Sequence, residues 1–410
     1  MIAVKLSARH ALLAALLGVA AYGSVAHADK VRSIRGRDLD QALSTISSRT
    51  LRQGQKALTR AAFAAKLDGA LTSPEHLKRT FPSLLGTMVA HLVGSDRLPG
   101  RVVPIAFDAH IENAGKVRLG KDGSGRARTI SAHLDLDDSG RGPAGVDAIS
   151  IGTALVQAGF SRKVVRRASA AFARAATAED VGAEEARGAK WGKRRREYLA
   201  RHTEVVRRDG AKTIQFRGAK KLRVGAKDFR TIARAAATDS VLRDYQILDV
   251  ITHEAAGGGS GGIVELEMLA RGPNGKPAVF VLKQQLEPGA AALGIAQPND
   301  GQRIPEIERG LWGEARNNVF FYLRGVGLSG AAPMDFLVRD QLAIAGEVAT
   351  GKHADETAVR VARLYGRAHA GHFGSLPERA LARWMNASSR AVSDGFEELH
   401  DKLKKEVKRR

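Results

Sequence analysis

A run of glycines constrains the fold of this chain more than any other feature. It is Ala255-Ala256-Gly257-Gly258-Gly259-Ser260-Gly261-Gly262, set between two strand-textured segments, Gln246–Glu254 and Ile263–Leu269. Gly257, Gly259 and Gly262 satisfy G-x-G-x-x-G, a spacing that lets backbone amides approach phosphates closely. A dinucleotide-binding unit needs a helix after such a loop. Here Ile263-Val264-Glu265-Leu266-Glu267-Met268 alternates apolar with acidic residues, the period of a half-buried strand. A strand follows the loop instead. The turn Arg271-Gly272-Pro273-Asn274-Gly275 then leads into a third strand over Ala278–Leu286. Three successive antiparallel strands are expected, and the third carries Val279-Phe280-Val281-Leu282-Lys283. An ammonium at that place can pair with nucleotide phosphates cradled by Gly257, Gly259, Ser260 and Gly262. An ordinary surface lysine beside a flexible glycine hairpin has the same local pattern.

The rest of the chain reads as helix with one earlier β block. Asp40 to about Val93 has helical spacing, with Pro74 and Pro82 as punctuation. Val102–Phe107 is a short apolar run with Asp108 at its end. Lys116–Leu119 and Ala127–Leu136 flank Lys121-Asp122-Gly123-Ser124-Gly125, a hairpin signature. Helical texture returns from about Ala144 to Arg208. It dominates again beyond Pro305, broken around Gly325–Pro333, and ends in a charged helix at Lys402–Arg410. The expected class is α+β, with a helix-rich part over 29–244, a small β-rich part over 245–330, and C-terminal helices over 331–410 that complete the larger part.

A second cluster complements the glycine loop. In Asp108-Ala109-His110-Ile111-Glu112-Asn113, an Asp precedes an Asn by five residues, the spacing of kinase catalytic loops. The Asp would accept or orient the proton of an attacking hydroxyl. The Asn would lend its carbonyl oxygen to Mg²⁺, a hard cation that takes oxygen ligands. A hairpin follows, then His133-Leu134-Asp135-Leu136-Asp137-Asp138. That order of parts makes Asp135 the first candidate for a second metal ligand and Asp137 the next. Solvent-facing turn acids are the plain alternative. Metal hydrolysis through His110 and His133 is disfavoured, because neither stands in a ligand spacing.

Several stretches together resemble the bacterial domain-of-unknown-function family 2252, over most of Leu77 to about Phe373. They are Phe107–Gly115, Leu134–Asp138, Gly142-Pro143 with Asp147, Asp244–Val250, Gly257–Gly262, Lys283, Gly301-Gln302-Arg303 and Arg367-Ala368-His369-Ala370. That family is itself similar to aminoglycoside and choline phosphotransferases with the parts reordered, the catalytic Asp coming before the glycine loop and lysine. The resemblance implies a two-lobed, protein-kinase-like fold in circularly permuted order. It implies Asp108 as base, Asn113 and Asp135 as metal ligands, Lys283 as phosphate partner, and Asp147 as a brace for the catalytic loop. It also implies Mg and ATP as cofactors, and a glutamate partner for Lys283, either Glu306 or Glu308. Four positions depart from the family pattern. Phe107 stands where the family has Gly, Gln284 where it has an acid, Ser131-Ala132 where it has Phe-Asp, and Leu85 where it has Arg. These departures point to relaxed or altered activity.

Residues 1–28 read as a secretory signal. Lys5 and Arg9 precede an apolar stretch from Ala11 to Ala21, and Ala26-His27-Ala28 supplies the exit. An N-terminal membrane anchor is the alternative; the stretch is short of the roughly 20 residues a span needs. A periplasmic or secreted location is expected, with no transmembrane segment after signal removal. The chain has no cysteine, which excludes a lipoprotein anchor and structural disulfides. It holds 65 Lys+Arg against 43 Asp+Glu, and the excess concentrates between Arg187 and Arg230. Such a face attracts anions, whether small phosphates, acidic polymer or anionic lipid. No nucleic-acid motif accompanies the charge. Two readings follow: a kinase-like phosphotransferase, active or degenerate, and an exported non-catalytic protein that grips anionic envelope lipid or polymer through a basic helical face.

Overall fold

A computed structural model describes residues 66–94, 97–121, 127–178, 190–208, 211–218, 222–252, 264–285, 288–298, 300–312, 319–329, 333–346 and 353–409. The expected signal segment, residues 40–65 of the expected helical stretch, the tip at 122–126 and the glycine run lie outside these residues, so Gly257, Gly259, Ser260 and Gly262 do too.

The first helix, α1 (Pro74–Thr80), starts where local chemistry dictates. The Ser73 hydroxyl accepts from the His76 amide, and Pro74 occupies the first turn, where no N–H is missed. Next come α2 (Ser83–Leu92) and β1 (Val102–Ile105), then a turn with one 3₁₀ segment at Ile111–Asn113. The hairpin β2 (Ala114–Lys121) and β3 (Ala127–His133) follows, then β4 (Gly140–Pro143), which returns to pair with β1. Helix α3 (Gly145–Gln157) is apolar or small on every side and is buried from Gly145 to Leu155. It forms the centre of the larger core. Helix α4 (Arg162–Ala176) is amphipathic and capped by Ser161.

Past residue 190 the chain runs through α5 (Trp191–His202), the hairpin β5 (Thr203–Arg208) and β6 (Ala211–Phe216), and α6 (Ala226–Thr238). Strands β7 (Gln246–Thr252), β8 (Glu265–Arg271) and β9 (Pro277–Gln284) come next, followed by α7 (Asp300–Trp312). Strands β10 (Phe320–Val326), β11 (Met334–Asp340) and β12 (Ile344–Gly346) precede α8 (Ala354–Ala368) and the long α9 (Glu378–Arg409).

The protein is α+β with antiparallel sheets. The largest sheet has the order β10-β11-β9-β8-β7, and β12 joins the β2–β3 hairpin in a second. Two cores result. One extends from Ala70 to Leu403 and packs α3 among α4, α8 and α9. Gly366 lets α8 approach α4 closely, since a Cβ there would strike the Phe172 backbone. The other core lies between α6 and one face of the five-stranded sheet, joining Ile232 and Ala236 to Leu266, Met268, Phe280, Leu282, Phe336 and Val338. Among the described residues no helix is long and apolar enough to cross a membrane.

Two helical expectations fail. Residues 203–208, expected to be helical, form a strand paired with 211–216, with Val205 opposite Ile214 and Val206 opposite Thr213. The β-branched pairs decide this, although the many basic residues gave the segment a helical look. Residues 320–340 are also strands. Phe320-Phe321-Tyr322-Leu323 pairs with Leu337–Arg339 and Phe336, and the expected break around Gly325–Pro333 falls between the two strands, with 330–332 outside the described residues. The three strands from Gln246 onward do form an antiparallel set, in register from Glu265 opposite Lys283 to Arg271 opposite Pro277.

Candidate functional site

The turn after β1 is set by its backbone. Phe107 has φ +65, the single non-glycine in the left-handed region among the described residues. A side chain there costs about 1–3 kcal/mol. Two contacts hold it. The Asp147 carboxylate, fully buried on α3, accepts from the Ala106 and Phe107 amides at 2.8 Å each, and His369 Nε2 lies 2.9 Å from the same group. The Phe107 ring is buried beside Gly289, where any Cβ would collide with it. The conformation accounts for the resembled family's glycine at this place.

Asp108 follows directly. Its Oδ1 lies 3.8 Å from Lys78 Nζ and has no hydrogen-bond donor among the described residues, while Oδ2 is 3.5 Å from His110 Nε2. Burial alone would raise its pKa. The His110 ring, then Lys78 and Arg79, outweigh burial and hold the carboxyl below the usual range, so it is ionised. Asn113 donates its amide to the Asp108 carbonyl at 2.9 Å, which leaves its side-chain oxygen as an acceptor. The Leu134 amide donates to the Asn113 carbonyl at 2.8 Å, setting the Asp135–Asp138 turn beside the Asp108 turn.

Lys283 and the Asp135–Asp138 turn, about 150 residues apart in the chain, meet in space. Lys283 Nζ lies 2.6 Å from Asp137 Oδ2 and 3.6 Å from Asp135 Oδ2. Burial would lower the lysine's pKa, but the two carboxylates overcome it and raise the value. Asp137 is pushed up to about 7, by burial first and then by the Asp135 charge. Asp135 goes the other way: burial opposes ionisation, and Lys283 with the Asp137 hydrogen bond prevails. The pair therefore shares one proton that is released around neutrality. Lys283 pairs with these aspartates and with neither Glu306 nor Glu308, which corrects the expectation from the resemblance.

A buried arginine fixes this geometry. Arg303, fully buried on α7, donates through Nη1 to the Leu136 and Ser139 carbonyls at 3.0 and 2.6 Å, and through Nη2 to Gln285 Oε1 at 2.7 Å. It ties the aspartate turn to the end of β9, two residues past Lys283. Asp138 adds a second tie, accepting from the Gly289 amide at 2.9 Å. Sequence reading missed Lys78, His110 as a partner of Asp108, and Arg339 on β11. It quoted Arg303 only as part of a motif. A lone basic residue among 65 gives no local signal.

Cross-strand partners share a face, so Glu265, Lys283, Leu337, Val281 and Arg339 all point to the side of the sheet opposite α6. With Asp135 they line a cavity of about 160 Å³. Among the described residues no cluster of three or more His, Cys, Asp or Glu side chains could hold a metal ion. The donor set is two aspartates and one amide oxygen, which suits Mg²⁺, because that ion keeps several waters and takes one or two carboxylates plus substrate phosphates.

Fold and site define a mixed α+β protein whose antiparallel sheet carries a lysine against a carboxylate turn. Comparison with protein-family models, with curated proteins and with solved structures gives no match in any of the three.

Proposed function

We propose that the protein is a kinase-like phosphotransferase, a circularly permuted relative of the aminoglycoside and choline phosphotransferases of the kind it resembles in domain-of-unknown-function family 2252, exported to the periplasm or beyond. The observation that carries this reading is the Lys283 ammonium lying between Asp135 and Asp137, on a strand that follows the glycine run. In this reading Asn113, Asp135 and Asp137 hold Mg²⁺, which when bound neutralises phosphate charge. Lys283 and the loop of Gly257, Gly259, Ser260 and Gly262 bind the donor's phosphates. Asp108, ionised and with one oxygen free of hydrogen-bond donors, orients the acceptor hydroxyl. As the hydroxyl oxygen bonds to the terminal phosphorus, the bond to the leaving phosphate breaks and the hydroxyl proton passes to Asp108. Asp147 and His369 keep Asp108 at its place through the Ala106 and Phe107 amides.

The test uses the full chain without residues 1–28. Mg²⁺ with ATP should raise the melting temperature and be turned over, and Asp108→Ala should abolish turnover while keeping the thermal shift. Absence of any nucleotide effect would sink the reading. Cell fractionation tests export separately.

One observation favours a second reading, binding of anionic envelope lipid or polymer without turnover. On α5, Trp191, Tyr198 and Leu199 turn inward, while Lys193, Arg194, Arg196 and Arg201 are exposed. Arg207 and Lys212 extend the charge onto the β5–β6 hairpin. Arg195 does not belong to that face, because it donates to the Pro277 carbonyl. Reversing Arg194 and Arg196 should weaken salt-sensitive binding to such material; unchanged binding excludes the face.

A further inference from the structure

Lys283 shares its charge with two carboxylates, so an anion in the cavity beside it is held better with a second cation. The geometry points to Arg339: we infer that Arg339 binds a phosphate oxyanion of the donor in this cavity, and that the cavity recognises the donor by its phosphoanhydride rather than by its nucleoside. The inference rests on the phosphotransferase reading and names what that site selects.

Three observations carry it. First, register fixes the placement. Arg339 opposes Val281 and Leu337 opposes Lys283, so the arginine stands on the same sheet face as the lysine, one strand across and two residues along. Second, its guanidinium is anchored but not spent. Nη1 reaches the Leu134 carbonyl at 3.4 Å, immediately before Asp135, while Nε is sealed from water and has no hydrogen-bond partner among the described residues. A buried donor left unmatched costs about 1–3 kcal/mol, a cost that a ligand oxygen removes. Third, the lining brings charge and apolar surface together. Asp135, Glu265, Lys283 and Arg339 supply four charged groups beside the apolar Val281, Phe320 and Leu337. A purine ring would desolvate those charges without pairing them. A phosphate chain suits the planar donors of an arginine, and Mg²⁺ at the aspartates would balance its charge.

The test is calorimetric titration of the full chain with Mg²⁺–pyrophosphate and, separately, Mg²⁺–ATP, for the natural protein, Arg339→Gln, Arg339→Lys and Arg383→Gln. Arg339→Gln is expected to weaken both ligands at least tenfold. Arg339→Lys should recover part of the loss, and Arg383→Gln, at an exposed position of α9, should bind both as the natural protein does. If Arg339→Gln binds both ligands unchanged while the natural protein turns over ATP, this inference falls and the phosphotransferase reading stands. Weakening of ATP alone would assign Arg339 to the nucleoside and also overturn it. If the natural protein binds neither ligand, both fall. Should Arg339→Gln not fold, Arg339→Lys decides: it must bind pyrophosphate less tightly than the natural protein.

Discussion

Lys78 and Lys283 are both lysines taken out of water and set against aspartates, yet their charges are stabilised in opposite senses. Lys78 is 1% exposed and meets one carboxylate, Asp108, at 3.8 Å. Burial wins, and its pKa falls. Lys283 is 17% exposed and meets two, the nearer at 2.6 Å. There the carboxylates win, and its pKa rises. Desolvation is similar in kind at both places, so the number and nearness of the partners decide. On the proposed phosphotransferase reading this is a division of labour. Asp108 stays ionised and would receive a proton. Lys283, raised by its carboxylates, would exchange partners when a phosphate or a metal enters.

The largest effect that would sharpen this contrast is kinetic. Asp108→Asn should lower turnover of Mg²⁺–ATP about 10³-fold, within the range for loss of a proton acceptor. Lys283→Met should instead weaken binding of Mg²⁺–pyrophosphate. Steady-state rates and titration separate the two; if Asp108→Asn impairs binding as strongly as turnover, the division fails.

Stability gives the next test. Lys283→Met leaves two crowded carboxylates and should cost about 3 kcal/mol by urea unfolding at pH 8. Lys78→Met should cost about 1 kcal/mol, because Asp108 retains His110 and the buried methionine needs no solvation. Equal costs would break the comparison.

The smallest effect is the pH dependence of stability. Asp137 has its folded pKa raised from 3.8 to about 7. The stability it contributes is complete below 3.8 and is lost as pH rises through about 7. His133 is depressed from 6.5 to about 4, mainly by burial, and acts with the opposite sign: its contribution is present above 6.5 and lost as pH falls toward 4. The two oppose each other in the natural protein. Asp137→Asn leaves the histidine's slope, so stability of that variant should climb between pH 4 and 6.5 more steeply than in the natural protein. Parallel curves would show that Asp137 does not hold the extra proton.

Much of the sheet was legible along the chain. Alternation in Glu265–Met268 and the glycine turns at 272 and 275 led to β7, β8 and β9. The strand pair at 203–208 and 211–216 was not, because its strand signal is five β-branched residues embedded in a basic run. Strands β10 and β11 were hidden for a related reason: short apolar runs have no period that separates strand from buried helix. Spacing singled out Asp108, Asn113, Asp135, Asp137 and Lys283 as residue types. It could not single out Arg303 or Arg339, whose roles come from what lies across the space they face.

What the chain order determined by itself is a set of local choices: where a strand must follow a glycine run, where an Asp precedes an Asn by five, which turn gathers three aspartates. These depend on neighbours in sequence, so the pattern is readable there. What only the tertiary structure decided is charge. Whether a lysine is depressed or raised, and which carboxylate carries a proton, depends on distances of a few ångströms between segments far apart in the chain. Coulomb interactions at that range are set by packing, and packing is not written in any single segment.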